Sequence, residues 1–253
     1  MSEANLILGD CLIELKKLQA NSVDLVITSP PYNCGIEYET HNDNMNWPDY
    51  YKWCGEWLKE IFRILKDDGR FCLIHYLSLG NSDNRHAPLM VLNTMAEQIG
   101  YKHHGLAIWW DITLTKRTAW GSWLSSSAPY INSPFEGVLI LYKDRWKKDR
   151  QGKTDLNKKE FMESCSGIWN IATEHDRTHP APFPLKMASR CIRLLSYEDD
   201  VILDPFMGSG TTGLSAFLNK RSFIGIEISP KYFEIAKRRI DQAQKQQLMD
   251  LTY

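Results

Sequence analysis

Apolar and polar positions follow two distinct patterns along most of the chain. Short, nearly continuous apolar runs, such as residues 23–28, are typical of buried strands. Apolar residues at three- and four-residue steps, such as those between Trp47 and Leu65, predict amphipathic helices. The predicted strands are residues 5–8, 23–28, 70–76, 106–110, 136–142, 201–203 and 222–228. The predicted helices are residues 12–18, 47–65, 88–99, 184–195, 214–218 and 231–247. This alternation predicts an α/β protein with a doubly wound, mostly parallel sheet.

One connection in this alternation is too long to be ordinary. Residues 112–178 show little periodicity apart from the predicted strand 136–142, whereas connections in compact domains have a median of about 4–6 residues. We therefore interpret residues 112–178 as a recognition insertion that separates residues 1–111 from residues 179–253. Ligands of doubly wound sheets bind beyond the carboxyl ends of the strands, so the polar residues at those ends form the candidate site.

The composition is that of an ordinary globular protein. The 253 residues are 43% hydrophobic and 24% charged, and no apolar run approaches the ~18 residues that a membrane span needs. Because the first five residues lack the basic and apolar regions of a signal peptide, the cytoplasm is the expected location. The six cysteines include no C-x-x-C pair, so the sequence predicts free thiols and no metal site.

A glycine-rich segment, D-P-F-M-G-S-G-T-T at residues 204–212, lies between a predicted strand and a predicted helix. Glycines let the backbone approach a ligand closely, and the start of a helix offers unpaired N–H groups. Glu227 ends the next strand, where its carboxylate can accept hydrogen bonds from two ribose hydroxyls. Gly208, Gly210 and Gly213 also fit G-x-G-x-x-G, so this segment alone leaves NAD and other adenosine cofactors equally open.

A second motif, Thr28-Ser29-Pro30-Pro31-Tyr32, follows another buried strand, which the two prolines must end. The exocyclic nitrogen of cytosine or adenine is a poor nucleophile because its lone pair is delocalised into the ring. Two acceptors for its N–H bonds can localise that lone pair, and Ser29 Oγ and the Pro30 carbonyl can supply them on a stiff backbone. Tyr32 can stack on an extruded base. The alternative is a strand that merely stops at a tight Pro-Pro turn.

Together these motifs resemble the S-adenosyl-L-methionine-dependent DNA amino-methyltransferases, which modify N4 of cytosine or N6 of adenine. The resemblance extends over nearly the whole chain, including the segment H-P-A-P-F-P at residues 179–184 and an acid after the first strand. It implies S-adenosyl-L-methionine as the cofactor. The catalytic residues that it implies are Thr28, Ser29, Pro30, Pro31 and Tyr32. The cofactor-binding residues that it implies are Asp10, Cys11, His179, Phe183, Asp204, Pro205, Phe206, Gly208, Ser209, Gly210, Thr211, Thr212 and Glu227.

The order of the motifs resembles the circularly permuted β group of this family, because the catalytic motif precedes the cofactor motif. The resemblance implies a seven-stranded, Rossmann-like sheet with a DNA-recognition insertion. Residues 1–111 would be the catalytic half, residues 112–178 the recognition insertion with one core strand, and residues 179–253 the cofactor-binding half. The N-terminal strand would follow the C-terminal helix in space, and the strand before Asp204 would lie beside the strand that ends at Ser29.

The recognition insertion contains a basic segment. Residues 143–160 carry eight basic and four acidic side chains, although the net charge of the chain is only −1. A charge run by itself is most simply a solvated loop. Within the resemblance, it is interpreted as a surface that contacts DNA phosphates and positions the duplex without reading bases. The residues predicted to do so are Lys143, Arg145, Lys147, Lys148, Arg150 and Lys153.

The resemblance favours a site-specific DNA methyltransferase acting on double-stranded DNA as a monomer or homodimer, and it allows a cognate restriction endonuclease as a second partner. N4 of cytosine is the favoured target because Ser29 stands where many adenine enzymes carry Asp or Asn; N6 of adenine stays open. An NAD-dependent oxidoreductase is a distant alternative, since it leaves the motif at residues 28–32 unexplained. A methyltransferase for RNA or protein and an inactive DNA-binding relative are the others.

Overall fold

One reversed strand interrupts an otherwise parallel sheet of eight strands in the described part of the chain. The computed structural model describes residues 3–36, 43–80, 84–111, 121–122, 124–131, 135–173 and 184–250, the side chains of 246–250 excepted. The strands are β1 (Ala4–Leu8), β2 (Val23–Thr28), β3 (Leu65–Tyr76), β4 (Leu79–Gly80), β5 (Arg85–His86), β6 (Lys102–Trp110), β7 (Glu136–Tyr142), β8 (Ile168–Asn170), β9 (Val201–Asp204) and β10 (Ser222–Glu227). The helices are α1 (Cys11–Leu15), α2 (Trp47–Ile64), α3 (Pro88–Ile99), α4 (Lys158–Ser164), α5 (Leu185–Leu195), α6 (Thr211–Leu218) and α7 (Pro230–Asp250).

The strand order β1-β10-β9-β2-β3-β7-β6-β8 is that of a permuted sheet. β1, the first strand of the chain, pairs in parallel with β10, the last, in the register Asn5 to Ile224. β9 pairs with β2 in the register Leu25 to Ile202. The structure therefore confirms both neighbour relations that the resemblance implied, and only β7 runs against the others. β4 and β5 form a separate antiparallel pair.

The sheet has one strand more than predicted. β8 pairs in parallel with β6, and its central residue Trp169 is fully buried with its indole N–H donating to the Ser164 carbonyl at 3.1 Å. Three residues are too few to show a period of two, which is why the pattern predicted no strand there. α4 was also missed, although Asn157 and Glu160 form a capping box, a signal that is visible in the sequence.

Helices cover both faces of the sheet, because successive residues of a buried strand point to opposite faces. On β2, Val26 belongs to the core beneath α1, α2 and α3. Its neighbours Leu25 and Ile27 belong to the core beneath α5, α6 and α7. Leu15, Trp57 and Leu92 fill the first core, and Ile192, Ala216 and Ile240 fill the second. This is the doubly wound arrangement that the pattern predicted.

The crossovers from β2 and β9 leave the sheet in opposite directions. β2 is followed by α2 on one face, and β9 is followed by α6 on the other. A crevice therefore opens between their carboxyl ends, which is where ligands bind in doubly wound sheets. Within the described residues, no helix combines the length and the apolar character needed to cross a membrane.

Candidate active site

A cleft that is partly open to solvent lies at the carboxyl ends of β1, β2, β9 and β10. Its walls combine the two motifs that the sequence singled out, since Ser29 and Pro31 line it together with Pro205, Phe206 and Gly208. The remaining lining residues are Gly9, Asp10, Cys11, Trp53, Ile226, Glu227, Ile228, Ser229 and Tyr232.

Asp204 supports the cleft from below and does not line it. Its side chain is buried, and its two carboxylate oxygens accept from the Thr28 hydroxyl at 2.8 Å and the Thr212 hydroxyl at 2.6 Å. Burial raises the pKa of Asp204 to about 6, although the two hydroxyl donors and a backbone N–H oppose that shift. Asp204 thus joins the end of β9 to the end of β2 and to the start of α6.

Glu227 presents its carboxylate to the cleft in a fixed orientation. Oε2 accepts from the Gly208 N–H at 2.8 Å, and Oε1 accepts from the Ser229 N–H at 2.8 Å. Burial raises the pKa of Glu227, and these backbone donors oppose the shift. Each carboxylate oxygen has a second lone pair, so the group can still accept from two hydroxyls of a bound ligand.

The N-terminal strand supplies the adjoining wall. The Gly9 N–H donates to the Glu227 carbonyl at 2.9 Å, which brings the end of β1 to the end of β10. Asp10 caps α1, because its Oδ1 accepts from the N–H groups of Leu12 and Ile13 at 2.9 and 3.2 Å. Cys11 follows in the wall, and burial raises the pKa of its thiol to about 12, so it stays neutral.

The structure divides the glycine-rich segment into two parts. Pro205, Phe206 and Gly208 line the cleft, whereas Ser209, Gly210, Thr211 and Thr212 do not. Gly210 has a φ of 82°, and a Cβ there would lie 2.8 Å from the Ala236 Cβ on α7. Glycine is therefore needed at this position for its positive φ and for close packing on a helix.

Arg239 of α7 holds the outer part of that segment. Its guanidinium donates to the Ser209 carbonyl at 2.7 Å, to Ser209 Oγ at 2.9 Å and to Thr211 Oγ1 at 3.4 Å. Arg239 is not among the site residues predicted from the sequence. Its position three residues after the buried Ala236 would have placed it on the inner face of the helix.

The catalytic motif is fixed from its far side by buried aromatic residues. The Tyr50 hydroxyl of α2 donates to the Pro31 carbonyl at 2.8 Å and lies 3.0 Å from His75 Nε2. Because Tyr50 has one hydroxyl proton, His75 Nε2 must carry the proton of the second bond. Burial lowers the pKa of His75 to about 3, so the ring is neutral. The Pro31 carbonyl is thus occupied within the protein.

Tyr32 is held in place within the protein through both its hydroxyl and its ring, and its role as a stacking platform stays a prediction. Its hydroxyl accepts from Ser29 Oγ at 2.7 Å and donates to Glu136 Oε2 at 2.7 Å. Its ring packs against His75 with centroids 4.3 Å apart and against Tyr76 edge-on at 5.1 Å. Burial raises the pKa of Tyr32 well above its ordinary value and that of Glu136 to about 7. Sequence reasoning assigned no role to Glu136, because only the fold brings it to Tyr32.

The structure does not bring the basic segment to the cleft. β7 begins at Glu136 beside Tyr32 and, running against its neighbours, ends at Tyr142 on the opposite edge of the sheet. Lys143, the residue after β7, therefore lies at the edge of the sheet that holds the amino ends of the parallel strands. Its ammonium donates to the Leu65 carbonyl at 2.8 Å and to Asn21 Oδ1 at 2.6 Å.

Several charges of this segment are balanced by the protein itself. Lys148 is buried, with its Nζ 3.6 Å from Asp24 Oδ1 and 3.5 Å from Asp200 Oδ2. Asp24 and Asp200 lie at the amino ends of β2 and β9. The remaining predicted phosphate-binding residues pair as Arg145 with Asp149, Arg150 with Asp200 and Lys153 with Glu198, while Lys147 is exposed. These contacts indicate a structural use for much of the charge.

Two predicted cofactor-binding residues, His179 and Phe183, lie outside the described residues, as do residues 112–120 of the predicted insertion. Across the described ranges, no three His, Cys, Asp or Glu side chains come together as a metal site.

Comparison with known families and proteins bears directly on this geometry. The family model described as "DNA methylase" for N6 and N4 enzymes matches residues 23–238. The type II methyltransferase M.MjaVI of Methanocaldococcus jannaschii is 39% identical over 158 residues, which cover 62% of this chain and 80% of that protein. The DNA adenine methyltransferase YhdJ of Escherichia coli is 27% identical over 248 residues, which cover 93% of this chain and 82% of that protein.

Solved structures share the fold. The DNA modification methylase TTHA0409 of Thermus thermophilus, in complex with S-adenosyl-L-methionine, superposes with a TM-score of 0.75 at 27% identity, covering 95% of this chain and 94% of that one. The cytosine-N4-specific PvuII DNA methyltransferase has a TM-score of 0.74 at 23% identity, covering 97% and 91%, and shows the same fold. These similarities confirm the resemblance and the predicted S-adenosyl-L-methionine cofactor.

Proposed function

This chain belongs to the DNA methylase family of N6 and N4 amino-methyltransferases, and we propose that it methylates the exocyclic amino group of a base extruded from double-stranded DNA, with N4 of cytosine as the favoured target. One observation carries the proposal: Ser29 of the catalytic motif and Glu227 line the same cleft. Glu227 belongs to the side of the cleft formed at the ends of β1, β9 and β10, which we call the cofactor wall. A methyl donor held by one wall would therefore lie beside an amino group held by the other.

The residues of the cofactor wall fit S-adenosyl-L-methionine. Glu227 offers a fixed carboxylate for ribose hydroxyls, and Ile226 and Ile228 offer apolar surface for an adenine. Asp10 Oδ1 is used for capping, so a ligand would meet Oδ2. When bound, the cofactor supplies a methyl group on a positively charged sulfur. A dinucleotide fits less well, because its pyrophosphate needs the second glycine of the loop, and Gly210 packs on Ala236 instead.

Catalysis is positioning and electrostatics in this proposal. Ser29 Oγ accepts one N–H of the substrate amino group, since its own proton is donated to Tyr32. The Pro31 carbonyl is occupied by Tyr50, so we assign the second N–H to the Pro30 carbonyl. Two acceptors on a rigid turn pull the nitrogen toward tetrahedral geometry before the methyl group arrives.

We assign DNA recognition to segments at the same edge of the sheet as the cleft. Residues 111–135 connect the end of β6 with the start of β7, and Trp109 and Glu136 pair there. In this connection the side chain of Tyr130 lies under the guanidinium of Arg85, 4.5 Å from the ring centroid. The basic segment lies at the far edge, so in our proposal it contributes little to the encounter with DNA.

The target base is the finer part of the proposal. Ser29 favours cytosine over adenine, because many adenine enzymes of the resembled family have Asp or Asn at that position. Relatives and neighbours of this chain include both kinds, an adenine methyltransferase and a cytosine-N4-specific one.

The test is to incubate duplex DNA with S-adenosyl-L-methionine that is isotopically labelled on the methyl group, digest the DNA to nucleosides and identify the product by mass spectrometry. We expect labelled N4-methylcytosine. Labelled N6-methyladenine would replace the favoured base by the alternative and leave amino-methyl transfer in place. Label in RNA or protein but not in DNA would overturn the proposal. Ser29→Ala should bind the cofactor normally and transfer the methyl group at least ~100-fold more slowly.

A further inference from the structure

Three polar side chains form a continuous hydrogen-bonded chain that leads away from the cleft. Ser29 Oγ donates to Tyr32 Oη at 2.7 Å, and Tyr32 Oη donates to Glu136 Oε2 at 2.7 Å. An ionised carboxylate can only accept hydrogen bonds, so Glu136 fixes the direction of both bonds. The Ser29 proton is thereby directed to Tyr32, and the Ser29 lone pairs are left for a donor in the cleft.

We propose that Glu136 takes up the proton that methyl transfer releases, and that this proton reaches it from the substrate nitrogen through Ser29 and Tyr32. Glu136 also acts as a positioning residue, because it keeps Ser29 an acceptor before the reaction. The inference rests on the amino-methyl transfer proposed above and assigns a proton path to it. Tyr32 then has the role of a relay.

Transfer leaves one surplus proton on the base. The nitrogen lone pair forms the new N–C bond as the C–S bond of the donor breaks, and the electron pair of that bond stays on sulfur. In concert, the nitrogen gives one proton to Ser29 Oγ, Ser29 gives its proton to Tyr32 Oη, and Tyr32 gives its proton to Glu136 Oε2. The products are a neutral methylated base, a neutral thioether and a protonated Glu136, so atoms and charge balance.

The surroundings of Glu136 suit a group that exchanges a proton near neutrality. Burial raises the pKa of Glu136 to about 7, an effect that the Asp111 carboxylate reinforces and the Tyr32 hydrogen bond opposes. Asp111, at the end of β6, is itself bound by the Thr173 hydroxyl at 2.8 Å. Tyr76 stands opposite Glu136 on β3, and the neighbouring His75 is neutral because its pKa is lowered to about 3.

The sign of the pH dependence follows from this role. Glu136 must be ionised to accept the proton, and its carboxyl is protonated at pH values below its pKa of about 7. The rate of methyl transfer should therefore rise with pH through this range and level off above it. A purely structural Glu136 would give no reason for the rate to change at this pH.

Glu136→Gln and Tyr32→Phe test the relay. The amide keeps an oxygen that accepts from Tyr32 but takes up no proton, whereas the phenyl ring interrupts the path before Glu136. In single-turnover assays on duplex DNA, we expect the wild-type rate to rise with pH through about 7. Both variants should be roughly 100-fold slower and should lose that rise, since general acid–base catalysis typically contributes ~10²–10⁴-fold.

Glu97→Gln, an exposed change of the same kind on α3, is the matched control and should behave as the wild type. Thermal unfolding and calorimetric titration with S-adenosyl-L-methionine establish that each variant is folded and binds the donor. A folded, donor-binding Glu136→Gln variant with the wild-type rate overturns the relay, and so does a slow variant that keeps the pH rise. If the wild-type protein methylates no DNA, the proposed function fails and the relay fails with it.

Discussion

The Thr28 hydroxyl donates to Asp204 Oδ1 at 2.8 Å, and this bond joins two residues that lie 176 positions apart in the sequence. Thr28 ends the strand before the catalytic motif, and Asp204 ends the strand before the cofactor segment. Both groups are buried, so the bond is shielded from water. The bond links the two walls of the cleft. Thr28 and Asp204 can therefore support the site without contacting a ligand.

Thr28→Val should therefore destabilise the protein and disturb its cofactor site together. The substitution keeps the shape of the side chain but removes a donor from a buried carboxylate, which typically costs about 1–3 kcal/mol. We expect a loss of that size in urea unfolding and weaker binding of S-adenosyl-L-methionine by calorimetry. Thr28→Ser keeps the hydroxyl and should restore most of both. Wild-type stability in Thr28→Val would contradict the role of this bond.

Glu227→Gln should weaken cofactor binding. The amide nitrogen cannot accept from a ribose hydroxyl, and it would face the N–H of either Gly208 or Ser229. We expect the Kd for S-adenosyl-L-methionine, measured by calorimetry, to rise by about 10- to 100-fold, which corresponds to roughly 1.4–2.8 kcal/mol. Glu234→Gln on the exposed face of α7 is the control. Equal affinity of both variants would remove Glu227 from the ribose site.

Arg239→Ala should weaken cofactor binding although Arg239 does not line the cleft. Its guanidinium holds Ser209 and Thr211, and the loss of charged hydrogen bonds of this kind typically costs about 1.5–3 kcal/mol. We expect a lower Tm and a Kd for S-adenosyl-L-methionine raised by about 10-fold. Its neighbour Arg238 is exposed, so Arg238→Ala should change neither quantity. Indistinguishable behaviour of the two variants would mean that the segment holds its shape without α7.

Lys148→Met distinguishes a structural basic segment from a DNA-binding one. Removing the ammonium takes a buried counter-charge from Asp24 and Asp200, which keep only the partly exposed Lys66 and Arg150, so the loss of folding stability should lie below the about 3–5 kcal/mol that a fully unpaired buried charge costs. We expect that loss in denaturant unfolding, while the DNA affinity of the folded fraction and its dependence on salt stay the same. The exposed Lys147→Ala should leave stability unchanged. A salt slope that falls by about one in either variant would instead assign a phosphate contact to that residue.

The pattern of the sequence predicted the sheet well where apolar runs are long. β2 and β7 are almost entirely buried, and their predicted bounds agree with the structure. β8 escaped prediction because its three residues pair with β6 through tertiary contact and not through any local preference. The interpretation of residues 112–178 as a recognition insertion stays a prediction; β8 and α4, which the pattern did not predict, lie within them.

The residues of the candidate site were likewise predicted from the sequence only in part. The motifs at residues 28–32 and 204–212 could be recognised because the residues that form each motif are consecutive in the sequence. Glu136 and Arg239 could not, because each acquires its partner from a distant part of the chain. The contacts of charged residues could not be predicted either: the sequence shows that Lys148 is basic, but only the fold shows that Asp24 and Asp200 lie beside it at the edge away from the cleft.

The pairing of β1 with β10 and of β2 with β9 has a consequence for synthesis on the ribosome. β2 lies in the middle of the sheet, yet one of its two neighbours is β9, which is translated much later. Until β9 emerges, the nascent chain carries an apolar strand with one open edge, a feature that invites pairing with other chains. The first residues must also wait for β10 before β1 has any partner in the sheet. The cofactor wall therefore forms late, because β1, β2, β9 and β10 can pair with one another only after β9 and β10 have been translated.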